Sequence, residues 1–102
     1  MRRYEILLPL RFNDRSEVPE RIVADVVATL RDRFGAVSSE TQTIQCVWIF
    51  EGEVFRDDMM RLFADVPDTD DNNRWFAALK ERLKRDFDQI DIWIISHPID
   101  VL

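Results

Sequence analysis

Hydrophobic and polar residues alternate along parts of this chain, whereas elsewhere hydrophobic residues recur every three or four positions. A period of two is typical of a β-strand, and the longer spacing is typical of an α-helix with one buried face. The first alternating stretch, residues 3–12, therefore predicts a strand. Its apolar face carries Tyr4, Ile6, Leu8 and Leu10.

Two stretches have helical spacing, residues 19–34 and residues 70–88. Pro19 begins the first helix, where a residue without an amide proton is tolerated. Gly35 follows that helix and is the expected left-handed residue at its end. Asp68 or Thr69 is predicted to cap the second helix, because a side-chain oxygen at this position accepts from the free amides of the first turn.

The longest alternating region, residues 37–66, predicts two long antiparallel strands joined by a turn at Glu51-Gly52. Continued without a break, this pairing gives two opposed pairs, Thr43 with Met60 and Thr41 with Leu62. The polar group 56–58 interrupts the pattern. A β-bulge there would exchange the two faces of the hairpin tip, and the sequence leaves that alternative open.

With a final strand at residues 90–96, the predicted order of elements is β-α-β-β-α-β. This order is typical of the ferredoxin-like sandwich, in which four antiparallel strands form a sheet and both helices cover one face. Right-handed crossovers give the strand order 4-1-3-2. The sequence thus predicts a single α+β domain, residues 1–102, whose second and third strands form a long hairpin.

The predicted hairpin is too long for the helices to cover. Strands of about 14 residues extend roughly 45 Å, whereas a helix of about 16 residues extends roughly 24 Å. The outer part is nevertheless apolar on both faces. This favours contact with a partner over a bend that covers the hairpin with its own helices. The predicted interface comprises Ile44, Trp48, Phe50, Phe55, Phe63 and Trp93.

The open face of the predicted sheet, opposite the helices, is also apolar. It carries Leu7 and Ile95 in addition to Phe63 and Trp93. A face with this composition is more apolar than a solvent-exposed sheet needs to be, and sheets of this type can pair face to face. A second copy of the chain is the simplest partner, so we expect a homodimer.

The composition of the chain limits which kinds of partner the protein is expected to bind and in which cell compartment it is expected to lie. The net charge of −6 argues against nucleic-acid binding, which depends on neutralising phosphates, and the basic run 80–85 has the period of a solvated helix face. The single cysteine allows no intrachain disulfide. No apolar run approaches the ~20 residues of a membrane-spanning helix. We therefore expect a cytoplasmic protein that does not bind membranes.

Carboxylates are the first candidates for chemistry: Asp57, Asp58, Asp65 and Glu40 lie on or near the hairpin. Converging carboxylates would suit a hard cation such as Mg²⁺, but no ligand spacing supports a metal site. Ion pairs with nearby arginines are the preferred interpretation, the candidates being Arg11, Arg56 and Arg61. Neither a metal nor a cofactor is predicted.

Two further residues have reactive side chains. His97 is the only histidine, and histidine titrates closest to neutral pH, so it is a candidate general base. A structural or solvated role at the strand end is the preferred interpretation. Cys46 lies among apolar residues and is interpreted as a packed, unreactive thiol.

The polar strip 41–43 is unusual for a central strand, and its hydroxyl and amide groups suit the lining of a small pocket. Ordinary cross-strand hydrogen bonding is the simpler interpretation. The predicted ligand-binding surface combines the strip with neighbouring candidates: Arg11, Thr41, Gln42, Trp48, Arg56 and His97.

Several segments resemble a group of small uncharacterised bacterial proteins, a domain of unknown function of similar length. They are FGAV at 34–37, ETQT at 40–43, RDD at 56–58 and QIDIWIISHPIDVL at 89–102. The resemblance covers essentially the whole chain. It implies a bacterial origin and a free-standing protein, and it supplies neither an activity nor functional residues.

Two hypotheses for function follow. The leading one is a self-associating binding or interaction module that uses the open sheet face and the hairpin. The alternative is a small dimeric enzyme with monooxygenase-like, isomerase-like or metal-dependent nuclease chemistry at the dimer interface, and it rests on fold analogy. A polar pocket that reaches His97, Gln42 or Arg11 would favour the enzyme.

Overall fold

The computed structural model describes all residues, 1–102. In chain order the elements are β1 (Arg2–Pro9), α1 (Glu20–Phe34), β2 (Ser38–Ser39), β3 (Ile44–Phe50), β4 (Glu53–Val66), α2 (Asp70–Asp86) and β5 (Trp93–Pro98). The strands form one antiparallel sheet in the order β2-β4-β1-β5, with β3 also paired to β4. The fold is therefore α+β, as predicted.

The first strand of the predicted hairpin is interrupted, so the sheet has five strands and not the predicted four. Residues 40–43 leave the ladder and separate β2 from β3, which both pair with β4. Thr41, Gln42 and Thr43 are all exposed, so no buried apolar side chain holds this segment against β4, which favours a break here. With β2 and β3 taken as one broken strand, the predicted order 4-1-3-2 is confirmed.

The break also changes the register. Two predicted pairs are wrong, Thr43 with Met60 and Thr41 with Leu62; the observed pairs are Ile44 with Met59 and Ser39 with Leu62. Four residues, 40–43, thus lie opposite two, 60–61. Because the excess is an even number, side chains keep their faces on both sides of the break. The pairing of β3 with β4 is regular through residues 56–58, with one residue opposite one, so the structure has no β-bulge there.

Two strand boundaries differ from the prediction. β1 ends at Pro9 and not at residue 12, because a proline has no amide proton for the ladder. The chain stays attached beyond it, since the amide of Leu10 donates to the carbonyl of Asp58 at 3.0 Å. β5 begins at Trp93 and not at residue 90, and it ends at Pro98, two residues beyond the predicted end at residue 96.

Local signals place the helix ends. α1 begins at Glu20, one residue later than predicted, and Pro19 is the residue immediately before it. Gly35 has a φ of 83° and its amide donates to the carbonyl of Arg31, so the predicted left-handed end is confirmed. Thr69 caps α2, and its hydroxyl accepts from the amide of Asn72 at 3.2 Å. α2 ends at Asp86, two residues earlier than predicted.

Both helices cover one face of the sheet. The buried core combines alternate residues of β1 and β4 with the apolar stripes of α1 and α2: Tyr4, Ile6, Leu8, Leu62, Ala64, Val66, Val26, Leu30, Phe76, Leu79 and Leu83. The opposite face of the sheet carries no helix and is called the open face below. Neither helix has the length and apolar character needed to cross a membrane.

Candidate functional site: the open face and the distal hairpin

The open face brings together every residue that the sequence predicted for an interface. Cross-strand pairing assigns to it alternate residues of each strand, starting from pairs such as Glu5 with Phe63 and Trp48 with Phe55. The six predicted residues Ile44, Trp48, Phe50, Phe55, Phe63 and Trp93 all have the open-face parity. Residues that lie far apart in the chain thus share one surface because the sheet register aligns them.

Large apolar side chains are exposed at the β5 edge of this face. Trp93 is 60% exposed and Ile95 is 41% exposed. Phe63, nearer the centre, is half-buried beneath the guanidinium of Arg3, which lies 4.4 Å from the ring centroid. Contiguous apolar exposure of this kind marks an interaction surface more often than plain solvent contact.

An ion-pair network occupies the centre of the open face. Arg3 donates to both carboxylate oxygens of Asp65, at 2.7 and 3.0 Å. Arg61 lies between two carboxylates and is 3.5 Å from Glu5 and in hydrogen-bond contact with Glu40. The cations and carboxylates of the network largely neutralise one another, so little uncompensated charge remains to attract a charged ligand.

Mutual contact shifts the ionisation of these groups. The hydrogen bonds from Arg3 hold the pKa of Asp65 below its ordinary value, although partial desolvation opposes the effect. Contact with Glu40 raises the pKa of Arg61. The Nε of Arg61 is nevertheless buried without an acceptor. Because that atom is already covered by its own chain, the missing hydrogen bond is a cost within the network.

The distal hairpin, defined as β3, the turn at 51–52 and residues 53–58 of β4, has its own aromatic cluster. Trp48 stacks on Phe55 with ring centroids 4.6 Å apart and an interplanar angle of 22°. The indole Nε1 of Trp48 donates to Asp57 at 2.6 Å. These contacts hold two strands together where no helix supports them, and they keep the aromatic rings on the open-face side.

The other side of the distal hairpin is also apolar and more exposed. Val47, Ile49 and Val54 are 63%, 71% and 59% exposed. The predicted overhang is therefore present, and the alternative in which the hairpin folds back over its own helices is not what the structure shows. Large exposed side chains on both sides of a projecting ribbon fit an element that inserts against a partner.

No protein-family model and no curated protein sequence matches this chain. Solved structures do share its fold. A phage SAM lyase in complex with S-methyl-5′-thioadenosine superposes with a TM-score of 0.72 at 17% identity, over 94% of this chain and 79% of that one. A divalent cation tolerance protein (CutA1) from Thermus thermophilus gives 0.64 at 20% identity, over 97% and 84% of the two chains.

CutA1 from Pyrococcus horikoshii also has a TM-score of 0.64, at 16% identity over 100% of this chain and 86% of that one. These structures are similar to this chain in fold alone, because at such identity no side-chain function carries over. They span almost the whole chain, including the long hairpin, so the architecture is one that occurs in other proteins.

The structure does not gather the predicted ligand-binding residues into one site. Arg11 and Arg56 line a shared cavity between the distal hairpin and the loop after β1. Thr41 and Gln42 are exposed in the segment that leaves the ladder. The two remaining candidates lie elsewhere on the open face, Trp48 in the aromatic cluster and His97 in the β5 strand. The structure therefore brings only Arg11 and Arg56 of this set into one cavity, and a ligand-binding role for the six residues stays a prediction.

The reactive candidates have separate surroundings. His97 is exposed and lies 3.8 Å from Glu5, at the edge of the ion-pair network. Cys46 is half-buried, and desolvation, assisted by the charge of Asp57, raises the pKa of its thiol. A raised thiol pKa lowers the thiolate fraction and fits the interpretation of an unreactive residue.

The acidic candidates do not converge. Asp65 pairs with Arg3, Glu40 pairs with Arg61, and Asp57 accepts from Trp48. No group of three or more His, Cys, Asp or Glu side chains is placed to hold a metal ion. Arg61 was predicted as an ion-pair partner, and it pairs with Glu40. The partner of Asp65 is Arg3, which was not among the predicted arginines.

Sequence reasoning missed two members of the network, Arg3 and Glu5. Both have the parity of Leu7 in β1, and that alternation was visible in the sequence. The alternation becomes informative when it is combined with the predicted strand order. Because β1 lies next to β4, Arg3 is placed opposite Asp65. Charges of opposite sign at paired positions of adjacent strands are the pattern that would have found this network.

Proposed function

We propose that this protein is a self-associating interaction module whose copies meet through the open face and the distal hairpin. The observation that carries the proposal is the apolar exposure on those two surfaces, from Trp93 and Ile95 at one end to Ile49 and Val54 at the other. A monomer would leave all of it in water. Burial of such surface contributes roughly 25 cal/mol for each Å² removed from water.

The charges of the open face favour a second copy over a charged partner. The molecule carries a net charge of −6, which by itself makes two copies repel. On the open face, however, the guanidinium groups of Arg3 and Arg61 pair with three carboxylates, so this network carries only one net negative charge. Copies that meet across the network therefore repel less than the net charge of the whole molecule suggests.

A two-fold arrangement is the simplest assembly and gives a homodimer. Such an axis brings the same patch of each copy together, and a patch must then be self-complementary. An apolar surface around internally neutralised ion pairs meets that requirement.

The proposal includes a cytoplasmic location in a bacterium. The resemblance of segments such as 34–37 and 89–102 to small uncharacterised bacterial proteins supports the source. The single cysteine supports a reducing compartment, because a thiol without a partner in the chain is not part of a structural disulfide.

Size-exclusion chromatography with light scattering tests the assembly. We expect a mass of twice the chain mass at micromolar concentration. Ile49→Asp on the hairpin and Trp93→Asp on the open face should each yield a monomer, because a buried unpaired carboxylate opposes association. Trp48 is a poorer choice, since it stacks on Phe55 and its loss would disturb the hairpin itself.

Ile90→Asp is the matched control. Ile90 is 62% exposed, comparable to the two target residues, but it lies in the connection between α2 and β5. This variant should keep the mass of the wild-type protein. A wild-type monomer at tens of micromolar would contradict the proposal, and so would equal dissociation by all three substitutions.

An enzyme is the second candidate, and one observation favours it. The cavity beside the hairpin is lined by Arg11, as the enzyme hypothesis requires, although it does not reach His97 or Gln42. The fold similarity to a phage SAM lyase that holds S-methyl-5′-thioadenosine supports a small-molecule role without assigning a substrate. An enzyme of this kind must bind a ligand in that cavity.

A further inference from the structure

A cavity lies between the distal hairpin and the loop that follows β1. It encloses about 300 Å³, which is at the lower end of the ~300–1,000 Å³ typical of small-molecule sites. Its walls come from residues 11–15, from 45–47 of β3 and from 55–58 of β4. All of these belong to one chain, so the cavity does not depend on self-association.

Three arginines line this cavity in a protein that is acidic overall. Arg11 and Arg15 come from the loop, and Arg56 comes from β4. Only Arg11 has a carboxylate within ion-pair distance, Glu17 at 3.9 Å, and that contact is long and exposed. Planar guanidinium groups match the geometry of phosphate and carboxylate oxygens. The cavity is thus a local concentration of uncommitted positive charge.

Two aspartates also line the cavity and must be weighed against the arginines. Asp57 accepts the indole hydrogen bond of Trp48, so its carboxylate is already engaged. The carbonyl of Asp58 accepts from Leu10, which fixes the backbone and leaves its side chain as the one uncommitted carboxylate. The three guanidinium groups outnumber the one uncommitted carboxylate, so the charge of the cavity favours an added anion.

The remaining walls are apolar or neutral. Phe12 packs against the hydrophobic core, so its ring is held by contacts outside the cavity. Val47 pairs with Arg56 and lies on the same side of the hairpin, whereas the ring of Phe55 lies on the other side, stacked on Trp48. The amides of Asn13 and Gln45 complete the lining. A fixed apolar ring beside convergent polar groups is typical of sites that bind a small molecule with a polar head and an apolar body.

The loop is held in place before any ligand arrives. Its first residue, Leu10, is tied to β4 by a 3.0 Å hydrogen bond to Asp58. Arg11 donates from Nη1 to the carbonyl of Arg15 at 3.1 Å. Arg15 itself has a φ of 74°, in the left-handed region that residues other than glycine rarely occupy. A strained residue that survives in a loop is held there by its surroundings.

We infer that this cavity binds a small organic anion, with its phosphate or carboxylate head held by Arg11, Arg15 and Arg56 and its planar, apolar body against Phe12 and Val47. The proposal goes beyond self-association and does not require it. It also identifies residues that neither the open face nor the aromatic cluster of the hairpin explains.

Isothermal titration calorimetry with phenyl phosphate and phenylacetate tests the site. At least one of the two should bind saturably with a Kd below about 1 mM, and the tighter one assigns the head group. Inorganic phosphate, which lacks the ring, and benzyl alcohol, which lacks the charge, should bind more weakly. Arg56→Gln should weaken binding about tenfold or more, because one charge-assisted hydrogen bond is lost.

Arg74→Gln is the matched control. It removes the same charge from an exposed site at the start of α2, where Arg74 pairs only with Asp71, and it should leave the Kd unchanged. Arg15→Gly is more discriminating. It removes a guanidinium while relieving the positive φ, so binding should weaken although the midpoint of thermal unfolding does not fall.

Three results would overturn the inference. One is the absence of saturable binding of both anions. The others are equal weakening by Arg56→Gln and Arg74→Gln, and unchanged binding in Arg15→Gly. The titration repeated on Ile49→Asp separates this site from self-association, because binding should persist in that variant whether or not the wild-type protein assembles.

Discussion

The two halves of β4 have the same backbone geometry and opposite surroundings. Leu62, in the proximal half, is fully buried beneath the helices, whereas Val54, in the distal half, is 59% exposed. The pairing to a neighbouring strand is nevertheless regular along both halves. Cross-strand hydrogen bonding therefore determines where this strand extends, and helix cover determines only where its side chains are buried.

The distal half lacks the support that stabilises the proximal half. Two-stranded hairpins alone are at best marginally stable in water. Here the hairpin gains the Trp48–Phe55 stack and the hydrogen bond to Asp57. The hairpin also continues directly into the part of β4 that the helices cover, and this anchored part fixes the register of the hairpin strands. The comparison teaches that a strand can be extended beyond the core when its base is anchored.

The largest expected effect contrasts these halves directly. Leu62→Ala should lower the free energy of unfolding by about 2–5 kcal/mol, because it leaves a cavity in the core. Val54→Ala, in the same strand, should change it by less than about 0.5 kcal/mol, with both substitutions made in the monomeric Trp93→Asp background, where no partner covers the hairpin. Urea unfolding followed by circular dichroism measures both. A similar loss in the two variants would mean that Val54 is buried in solution.

A smaller effect tests whether the hairpin unfolds with the core. Gly35 and Gly52 have φ values of 83° and 80°, and neither has an atom within 4 Å of an added Cβ. Alanine at either position therefore adds backbone strain of about 1 kcal/mol and no clash. Gly35→Ala should lower global stability by that amount, whereas Gly52→Ala should mainly increase hydrogen exchange in residues 44–50.

If Gly52→Ala instead lowers the global free energy of unfolding as much as Gly35→Ala does, the distal hairpin belongs to the same cooperative unit as the core. The two-region description would then hold for burial but not for stability. Native-state hydrogen exchange, read at individual amides, distinguishes these outcomes because it reports local opening separately from global unfolding.

The smallest expected effect is the pH dependence of stability that comes from the Arg3–Asp65 ion pair on the open face. Arg3 holds the pKa of Asp65 below its ordinary value of about 3.9. A carboxyl group with a lowered folded-state pKa stabilises the fold above its ordinary pKa, and this contribution is lost as the pH falls through the lowered value. Asp65→Asn should therefore reduce the unfolding temperature at neutral pH, with the difference disappearing as the pH falls through the lowered pKa of Asp65.

The reduction should be only a few degrees, roughly 1–4 °C, because the side chain of Asp65 is 31% exposed and solvent screens the pair. Asp32→Asn is the control, since Asp32 pairs with its neighbour Arg31 on an exposed helix surface. A pH-independent difference for Asp65→Asn would show that the substitution acts through packing and not through charge.

Periodicity was sufficient to predict the helices, and together with right-handed crossovers it predicted the strand order. The faces of residues in the hairpin tip were left open by the possible bulge at 56–58. The stripes of α1 and α2 are local, so no distant contact is needed to identify them. The separation of β2 from β3 was not predicted, because the sequence was paired outward from the turn at 51–52 on the assumption of an unbroken ladder. That assumption fails at 40–43, where the chain has polar residues and no apolar position holds it in register.

The side-chain contacts were harder to predict than the fold. Asp65 pairs with Arg3, 62 positions away in the chain, and no local pattern indicates this pair. The cavity likewise joins the loop after β1 to a hairpin whose exact register was mispredicted at its base. Arg11 and Arg56 were both selected from the sequence, but their meeting in one cavity depends on how Leu10 is tied to Asp58.

The break at residues 40–43 has a consequence for how such sequences can change in length. Its two extra residues preserve the alternation, so gain or loss of a residue pair there would keep Trp48 beside Phe55 on the open face. A single inserted or deleted residue must either be absorbed within the segment or turn β3 over, exchanging Trp48 with Val47 or Ile49. Length variation between homologues should therefore come in steps of two at this point, and the segment is where the chain tolerates it best.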